Sequence, residues 1–233
     1  MYNEKTILAI IPARSGSKGF SHKNIAEIDG KPTLAYSIIA AQNSGIIDDI
    51  VVSTDSIEYA EIAKDWGAFV PFIRPDYLST DEASTIDVIL HTIKELRNTG
   101  REYDYLILLQ PTSPLRKSTD ITNAIKLCFE KSANSIISVC EAEHSPLWCN
   151  TIDEDLSMEN FITSNGNKRR QEISTYYRLN GAIYISKVDF FVKNKSFYSS
   201  KAFAYIMDKY SSVDIDSQFD LDFARFLMLV TQK

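Results

Sequence analysis

The feature that most limits the fold of this chain is a recurring unit: a short apolar run, then a polar loop, then a segment whose apolar residues fall at helical spacing. Ile7–Ile11 is the first such run, and Asp49–Ser53, Tyr105–Leu109 and Ser135–Val139 repeat it. Strands that are apolar on both faces belong to sheets covered by helices on either side. The pattern therefore predicts a mostly parallel α/β sheet flanked by helices. Helices are predicted over 32–42, 57–66, 84–96 and 120–129, the first opened by Pro32 and closed by Gly45. Gly67 stops the second before a short extended run, 68–72.

From about residue 141 to 178 the rhythm is lost. Pro146, Gly166, several Asn residues and the pair Arg169-Arg170 predict an inserted lobe with short strands and an exposed arm, able to carry a dimer contact. Strands resume at 181–186 and near a sheet edge at 203–207. A closing helix is predicted over 217–230, with Asp216 or Ser217 as N-cap and Asp220 in its first turn. A chain of 233 residues fits a single domain, 1–233, with this insertion inside it.

Ligands of such sheets sit beyond the carboxyl ends of the strands. That rule singles out residues 12–24, 54–56 and 110–116. In the first, Ile7–Ile11 runs into Pro12-Ala13-Arg14-Ser15-Gly16-Ser17-Lys18-Gly19, with His22, Lys23 and Asn24 close behind. Backbone N–H groups, hydroxyls and cations gathered in one loop suit phosphate oxygens. The spacing matches neither G-x-x-x-x-G-K-[ST] nor G-x-G-x-x-G, so the predicted guest is a nucleotide phosphate held without ATPase or dinucleotide wiring. The same small residues also make ordinary strand-to-helix turns.

In 110–116, Pro111 and Pro114 stiffen a turn that offers Gln110, Thr112, Ser113 and Arg116. Arg116 is expected to bind ligand there, with pairing to a neighbouring carboxylate as the alternative. Far along the chain, Val213-Asp214-Ile215-Asp216 would, if extended, put both carboxylates on one side. Two such acids repel unless a cation or proton intervenes, and a divalent metal bridging phosphates accounts for them. Capping of the following helix by one of them, Asp214 or Asp216, is the competing reading.

Composition narrows the partners. A formal charge of −6 argues against a nucleic-acid or anionic-membrane surface, and the cations are local to the first loop, so a small anion is expected. Three cysteines, Cys128, Cys140 and Cys149, form no disulfide framework. With no signal peptide or spanning segment expected, the reading is a cytoplasmic protein. His22, His91 and His144 make no zinc group.

The chain resembles the acylneuraminate cytidylyltransferases, the CMP-sialic acid synthetases. The resemblance is carried by Ile11–Gly19 with Lys23-Asn24, by Arg74-Pro75 with Leu78 and Asp81, by Leu109–Arg116, by Arg169-Arg170-Gln171, by Asn180–Tyr184 and by Asp214-Ile215-Asp216, in family order. It implies a Rossmann-like fold of the nucleotide-diphospho-sugar transferase type. Carried over residue by residue, it implies that Arg14 and Lys23 hold the triphosphate of CTP, Lys23 at the α-phosphate, while Ser15, Gly16, Ser17 and Asn24 shape the nucleotide seat. Arg74 and Ser84 would lie near the cytosine or its ribose. Gln110 would contact the acceptor sugar, with Arg170, Gln171 and Asn180 on that side of the cleft. Asp214 and Asp216 match carboxylates that bind Mg²⁺, with Mn²⁺ as an alternative, and Asp216 is a candidate proton acceptor. The inserted segment would reach across a homodimer and complete the neighbouring acceptor pocket.

The implied reaction is attack by the C2 hydroxyl of a nine-carbon α-keto acid sugar on the α-phosphorus of CTP, giving CMP-sugar and pyrophosphate. Catalytic roles fall to Lys23, Arg14 and Asp216. Two rivals remain at this stage. One is a nucleotidyltransferase for another acid sugar such as legionaminic acid, with Asn180–Tyr184 leaning toward sialate or legionaminate over pseudaminate. The other is a non-catalytic nucleotide-binding regulator, which would have no use for the paired acids.

Overall fold

A computed structural model of the chain describes residues 2–16, 20–162 and 169–231. Its main sheet has six strands: β1 (Ile7–Pro12), β4 (Asp49–Ser53), β5 (Tyr105–Leu108), β6 (Ser135–Glu141), β7 (Tyr177–Lys187) and β8 (Ala202–Met207). The spatial order is β4-β1-β5-β7-β6-β8. β1 is parallel to β4 and β5, and β6 is parallel to β8, whereas β7 runs antiparallel between β5 and β6. The sheet is thus mostly parallel, with one reversed strand near its centre. A small hairpin of β2 (Glu27–Ile28) and β3 (Lys31–Pro32) stands apart.

The alternation along β1 shows why the central strands are apolar throughout. Ile7, Ala9 and Ile11 point into one core with Leu34 and Ile38 of α1 (Thr33–Asn43), Tyr59 of α2 (Ile57–Asp65) and Ile121 and Ile125 of α4 (Ser118–Glu130). Leu8 and Ile10 point into a second core with Ile89, Ile93 and Leu96 of α3 (Thr85–Asn98) and Phe191 of α5 (Val188–Asn194). Both faces are buried, so no position on the strand can be polar without a partner. A third cluster packs Leu221, Ala224 and Leu227 of α6 (Gln218–Thr231) with Val213 and Ile215 against Ile28 of the hairpin.

Several expectations shift. Pro32 caps α1 from outside rather than opening it, because its φ of −66° and ψ of 146° are extended. The run 68–72 forms no strand but leans on the sheet edge through a bridge between Val51 and Phe69. β6 and β7 both extend beyond their predicted ends, pairing Glu141 with Tyr177. Between them, the described residues of the insertion contain 3-10 turns at Pro146–Trp148 and Arg170–Glu172 and no strand, contrary to the short strands expected. Among the described residues, no helix is long and apolar enough to cross a membrane.

α6 settles the competing reading of Asp216. Ser217 Oγ accepts from the Asp220 amide at 3.4 Å, and Asp220 Oδ2 accepts from the Ser217 amide at 2.8 Å. This reciprocal pair satisfies the free amides of the helix start, so Ser217 is the cap and the Asp216 side chain is released for other work.

Candidate active site

The loops after β1, β4 and β5 meet at the carboxyl edge of the sheet, as expected for a fold of this type. The loops after β1 and β5, with the segment leading into α3 (Thr85–Asn98), bound an open cleft of about 250 Å³ whose walls include Arg14, Lys23, Asn24, Arg74, Asp81, Gln110 and Thr112. The chain turns sharply into it: His22 adopts a left-handed φ of 56°, and its Nδ1 lies 3.0 Å from the Tyr59 hydroxyl. Asn24 is buried and donates its amide to the Arg14 carbonyl at 2.9 Å, so it ties the two ends of the phosphate-loop candidate together.

Distant segments pack beside the cleft. The hairpin after the loop supports α6, with Arg225 of that helix donating to the Glu27 carbonyl at 2.7 Å. The segment before α6 runs extended past the third loop, the Ile215 amide donating to the Thr112 carbonyl at 2.9 Å. Ile215 is fully buried, so the two-residue alternation turns Asp214 and Asp216 together to the opposite side. Lys23 Nζ lies 2.7 Å from Asp216 Oδ1.

Asp214 sits deeper. Burial pushes its carboxyl above the ordinary aspartate value, partly offset by hydrogen bonding with Thr112, while the Asp216 charge adds to the rise. Its Oδ1 is buried with no hydrogen-bond partner, which fits an oxygen held ready for a cation. Among the described residues no three His, Cys, Asp or Glu side chains converge as a ready-made metal cage. Two carboxylate oxygens suit Mg²⁺, which usually keeps waters and takes its other ligands from phosphates.

Gly181 shows how closely the chain is packed around Gln110 and Asp214. Its φ is +73°, and a Cβ built there would stand 2.8 Å from Gln110 Oε1 and 3.6 Å from Asp214 Oδ2. The bare backbone at this point lets the two polar side chains approach each other.

On the opposite side, Arg74 is only 3% exposed. Burial lowers its pKa, opposed chiefly by the charge of Asp55. Its Nη2 lies 3.6 Å from Asp55 Oδ1, while Nε and Nη2 have no hydrogen-bond partner. Asp55 also accepts from the Ser15 amide at 2.9 Å and hydroxyl at 2.8 Å. Arg14 reaches Asp81 at 2.7 Å.

Other expected residues are placed differently. The Ser84 hydroxyl caps α3, accepting from the Asp87 amide at 3.1 Å, and the cleft wall there is made by Ala83 and Thr85. Asn180 is 1% exposed and turned inward: its amide donates to Ser212 Oγ at 2.9 Å, and its oxygen accepts from Ser138 Oγ at 2.6 Å and the Ala182 amide at 3.2 Å. With its bonds made inside the protein, it shapes the β7 backbone beside the cleft instead of reaching a ligand.

Arg116 is likewise a correction. Burial takes it down to about 9, and its Nη1 donates to the carbonyls of Ala182 at 2.8 Å and Gln110 at 3.2 Å, while Nη2 bonds Ser37 Oγ. It braces the fold between β5 and β7. Gly16 and Gln171 are exposed, the latter on the arm and outside the cleft walls. The expectations for Ser17 and for the Arg170 side chain fall outside the described residues. Asp55, which by sequence reads as one of several scattered acids on a solvated face, instead turns its carboxylate to Ser15 and Arg74, since an acid after a strand carries no sign of what it faces.

Comparison with known proteins matches residues 8–230 to the cytidylyltransferase family profile. The chain belongs to the cytidylyltransferase family. It is 36% identical over 97% of its length to the CMP-N,N'-diacetyllegionaminic acid synthase of Legionella pneumophila, covering 98% of that protein. It is 39% identical over 94% of its length to the N-acylneuraminate cytidylyltransferase of Escherichia coli O18:K1:H7, of which it spans 51%. The fold of this cytidylyltransferase resembles that of CMP:2-keto-3-deoxy-manno-octonic acid synthetase solved with CTP, with a TM-score of 0.72, 16% identity and coverage of 97% and 99% of the two chains.

Proposed function

We propose that this cytidylyltransferase transfers CMP from CTP to the C2 hydroxyl of a nonulosonic acid, N-acetylneuraminate or a relative such as legionaminate, releasing pyrophosphate. The observation that carries the reading is the meeting of Lys23, on the cleft wall with Arg14, with Asp216 at 2.7 Å, and the hydrogen bonding of Asp214 with the wall residue Thr112. A site for phosphate alone would not need two acids there. Relatives that carry both sugar specificities in their names support the substrate class and leave both acyl patterns open.

Asp214 and Asp216 would hold Mg²⁺, or Mn²⁺ in its place; the bound cation would lower the proton affinity of the sugar hydroxyl and neutralise phosphate charge. Lys23 and Arg14 supply fixed positive charge where the phosphoryl oxygens gain negative charge during transfer. Gln110, pressed against Gly181 beside Asp214, is the residue we assign to orienting the acceptor. Asp216, freed from capping, is the exposed carboxylate available to take the proton.

The reading extends to a cytoplasmic homodimer joined through the 141–178 arm. Ile152, Leu156 and Met158 are exposed apolar residues on the arm and suit burial against a second copy. Gln171, and Arg170 beside it, would then serve the neighbouring acceptor pocket.

The test is pyrophosphate release, coupled to pyrophosphatase, with each nucleoside triphosphate and a panel of nonulosonic acids. CTP- and sugar-dependent release is expected. Release that needs no sugar, or none with any sugar, would count against this reaction, the second outcome favouring a non-catalytic nucleotide binder.

A further inference from the structure

We infer that Asp55 is a positioning residue that sets the Arg74 guanidinium against the nucleotide base while holding the phosphate-side turn at Ser15, so that one carboxylate links the two ends of the nucleotide seat. The inference rests on the nucleotide reading given above and adds a residue to it.

Three observations meet at the end of β4. The Asp55 carboxylate accepts both the amide and the hydroxyl of Ser15, at 2.9 and 2.8 Å, using one oxygen for each. Oδ1, already engaged with the Ser15 amide, also faces Arg74 Nη2 at 3.6 Å. Next to it, the Thr54 carbonyl accepts from the Arg74 amide at 2.7 Å, which anchors the Arg74 backbone to the same turn. Burial alone would raise the Asp55 carboxyl, yet the Ser15 bonds, its own amide and Arg74 hold it below the ordinary aspartate value.

Arg74 explains why such a support is needed. A buried guanidinium without a counter-charge is costly, and an arginine with unsatisfied donors is free to rotate among several poses. Its Nε and Nη2 are buried without hydrogen-bond partners, and its side chain lines the cleft. A planar donor fork fixed in this way matches the adjacent carbonyl and ring-nitrogen acceptors of a cytosine edge. Uracil offers a donor where cytosine offers that ring nitrogen, so an aligned fork discriminates between them. Asp55 supplies the alignment without touching the ligand.

The experiment is calorimetric binding of CTP and UTP, without sugar, to the wild-type protein and to Asp55→Asn, alongside steady-state turnover. Asparagine keeps an acceptor for the Ser15 amide and removes the charge facing Arg74. Expected is a rise of about ten- to a hundredfold in the Kd for CTP. The preference for CTP over UTP should fall by a similar factor, while the KM for the sugar stays unchanged. Combining Asp55→Asn with Arg74→Lys should lower that preference little further than Arg74→Lys alone, as for residues acting as a unit. If Asp55→Asn does not accumulate as folded protein, Asp55→Glu, which displaces the charge by one methylene, takes its place with the same readouts.

An unchanged CTP preference in the variant overturns the inference, as does a wild-type protein that binds CTP and UTP alike. A wild-type protein that prefers CTP, loses that preference on substitution of Asp55 and turns over no sugar supports the inference and overturns only the proposed reaction.

Discussion

Lys23 Nζ and Asp216 Oδ1 lie 2.7 Å apart although 193 positions separate them in the chain. The pair closes a circuit that runs from the loop after β1, through the β2–β3 hairpin, to the start of α6. Asp216 is 72% exposed, so the contact adds little to stability and its value is to juxtapose a cation with an acid. Lys23→Ala is expected to lower kcat at saturating CTP and sugar by about a hundredfold or more, the usual loss for a fixed donor at a developing charge. Asp216→Ala should likewise lose most turnover while its unfolding free energy stays within about 0.5 kcal/mol of wild type. Denaturant titration beside the pyrophosphate assay checks both; near-normal rates at limiting Mg²⁺ would reject the role given to Asp216.

Asp214 should behave oppositely with respect to stability. Burial and the neighbouring Asp216 make its ionised form unfavourable in the fold, and one oxygen is left without a partner. Asp214→Asn is therefore expected to raise the melting temperature in metal-free buffer by roughly 2–4 °C, equivalent to about 1 kcal/mol. Turnover should nevertheless be lost, because the amide no longer offers a charged oxygen to the cation. A lowered melting temperature would show that the carboxylate is a structural bond and not a strained ligand.

Gly181→Ala introduces a Cβ at a φ of +73°, directly against the Gln110 amide oxygen. Backbone strain and the displaced side chain together should cost about 1–3 kcal/mol. Because Gln110 must move, the KM for the acceptor sugar should rise more than the KM for CTP. Equal effects on both substrates would separate Gln110 from the acceptor side.

At the opposite end of the sheet, Asp104 accepts from Lys5 Nζ at 2.8 Å, and from the Thr6 amide and hydroxyl at 2.9 and 3.1 Å. These contacts, the Lys5 hydrogen bond first, hold its carboxyl below the ordinary value. A depressed folded pKa means that the contribution to stability is present above the unfolded value, near 3.9, and is lost as pH falls through the folded value. The carboxylate is a little over one-third exposed, so solvent screening keeps the contribution small, about 1 kcal/mol at pH 7 for Asp104→Asn. Urea titrations at pH 7 and near pH 2.5 should show the difference between wild type and variant shrinking at acid pH. A difference that persists there would assign the effect to packing.

The strand-and-helix rhythm was readable because each β1 residue faces a core on one side or the other, so Ile7 to Ile11 had to be apolar without interruption. The alternation at 213–216 was readable for the same local reason: Ile215 turned inward obliges Asp214 and Asp216 to turn together. Such periodicities depend only on backbone geometry, and they sufficed to name two of the segments that bound the cleft, 12–24 and 110–116, while 54–56 does not line it and the wall from Arg74 to Val88 lay outside their reach.

What the polar residues of those loops face was settled by tertiary structure alone. Arg116 and Asn180 look in sequence like ligand contacts, yet Arg116 donates to the buried Ala182 carbonyl, in the stretch where β7 slips against β6, while Ser138 and Ser212 take up Asn180. Asp55 went to a buried arginine for an equally non-local reason, whereas Ser84 caps α3 through a local contact three residues away. A donor or acceptor binds whichever partner the packed fold brings within about 3 Å, and residue type alone does not encode that distance. Periodicity thus determined the frame, and the packing of distant segments decided which side chains are left to meet a substrate.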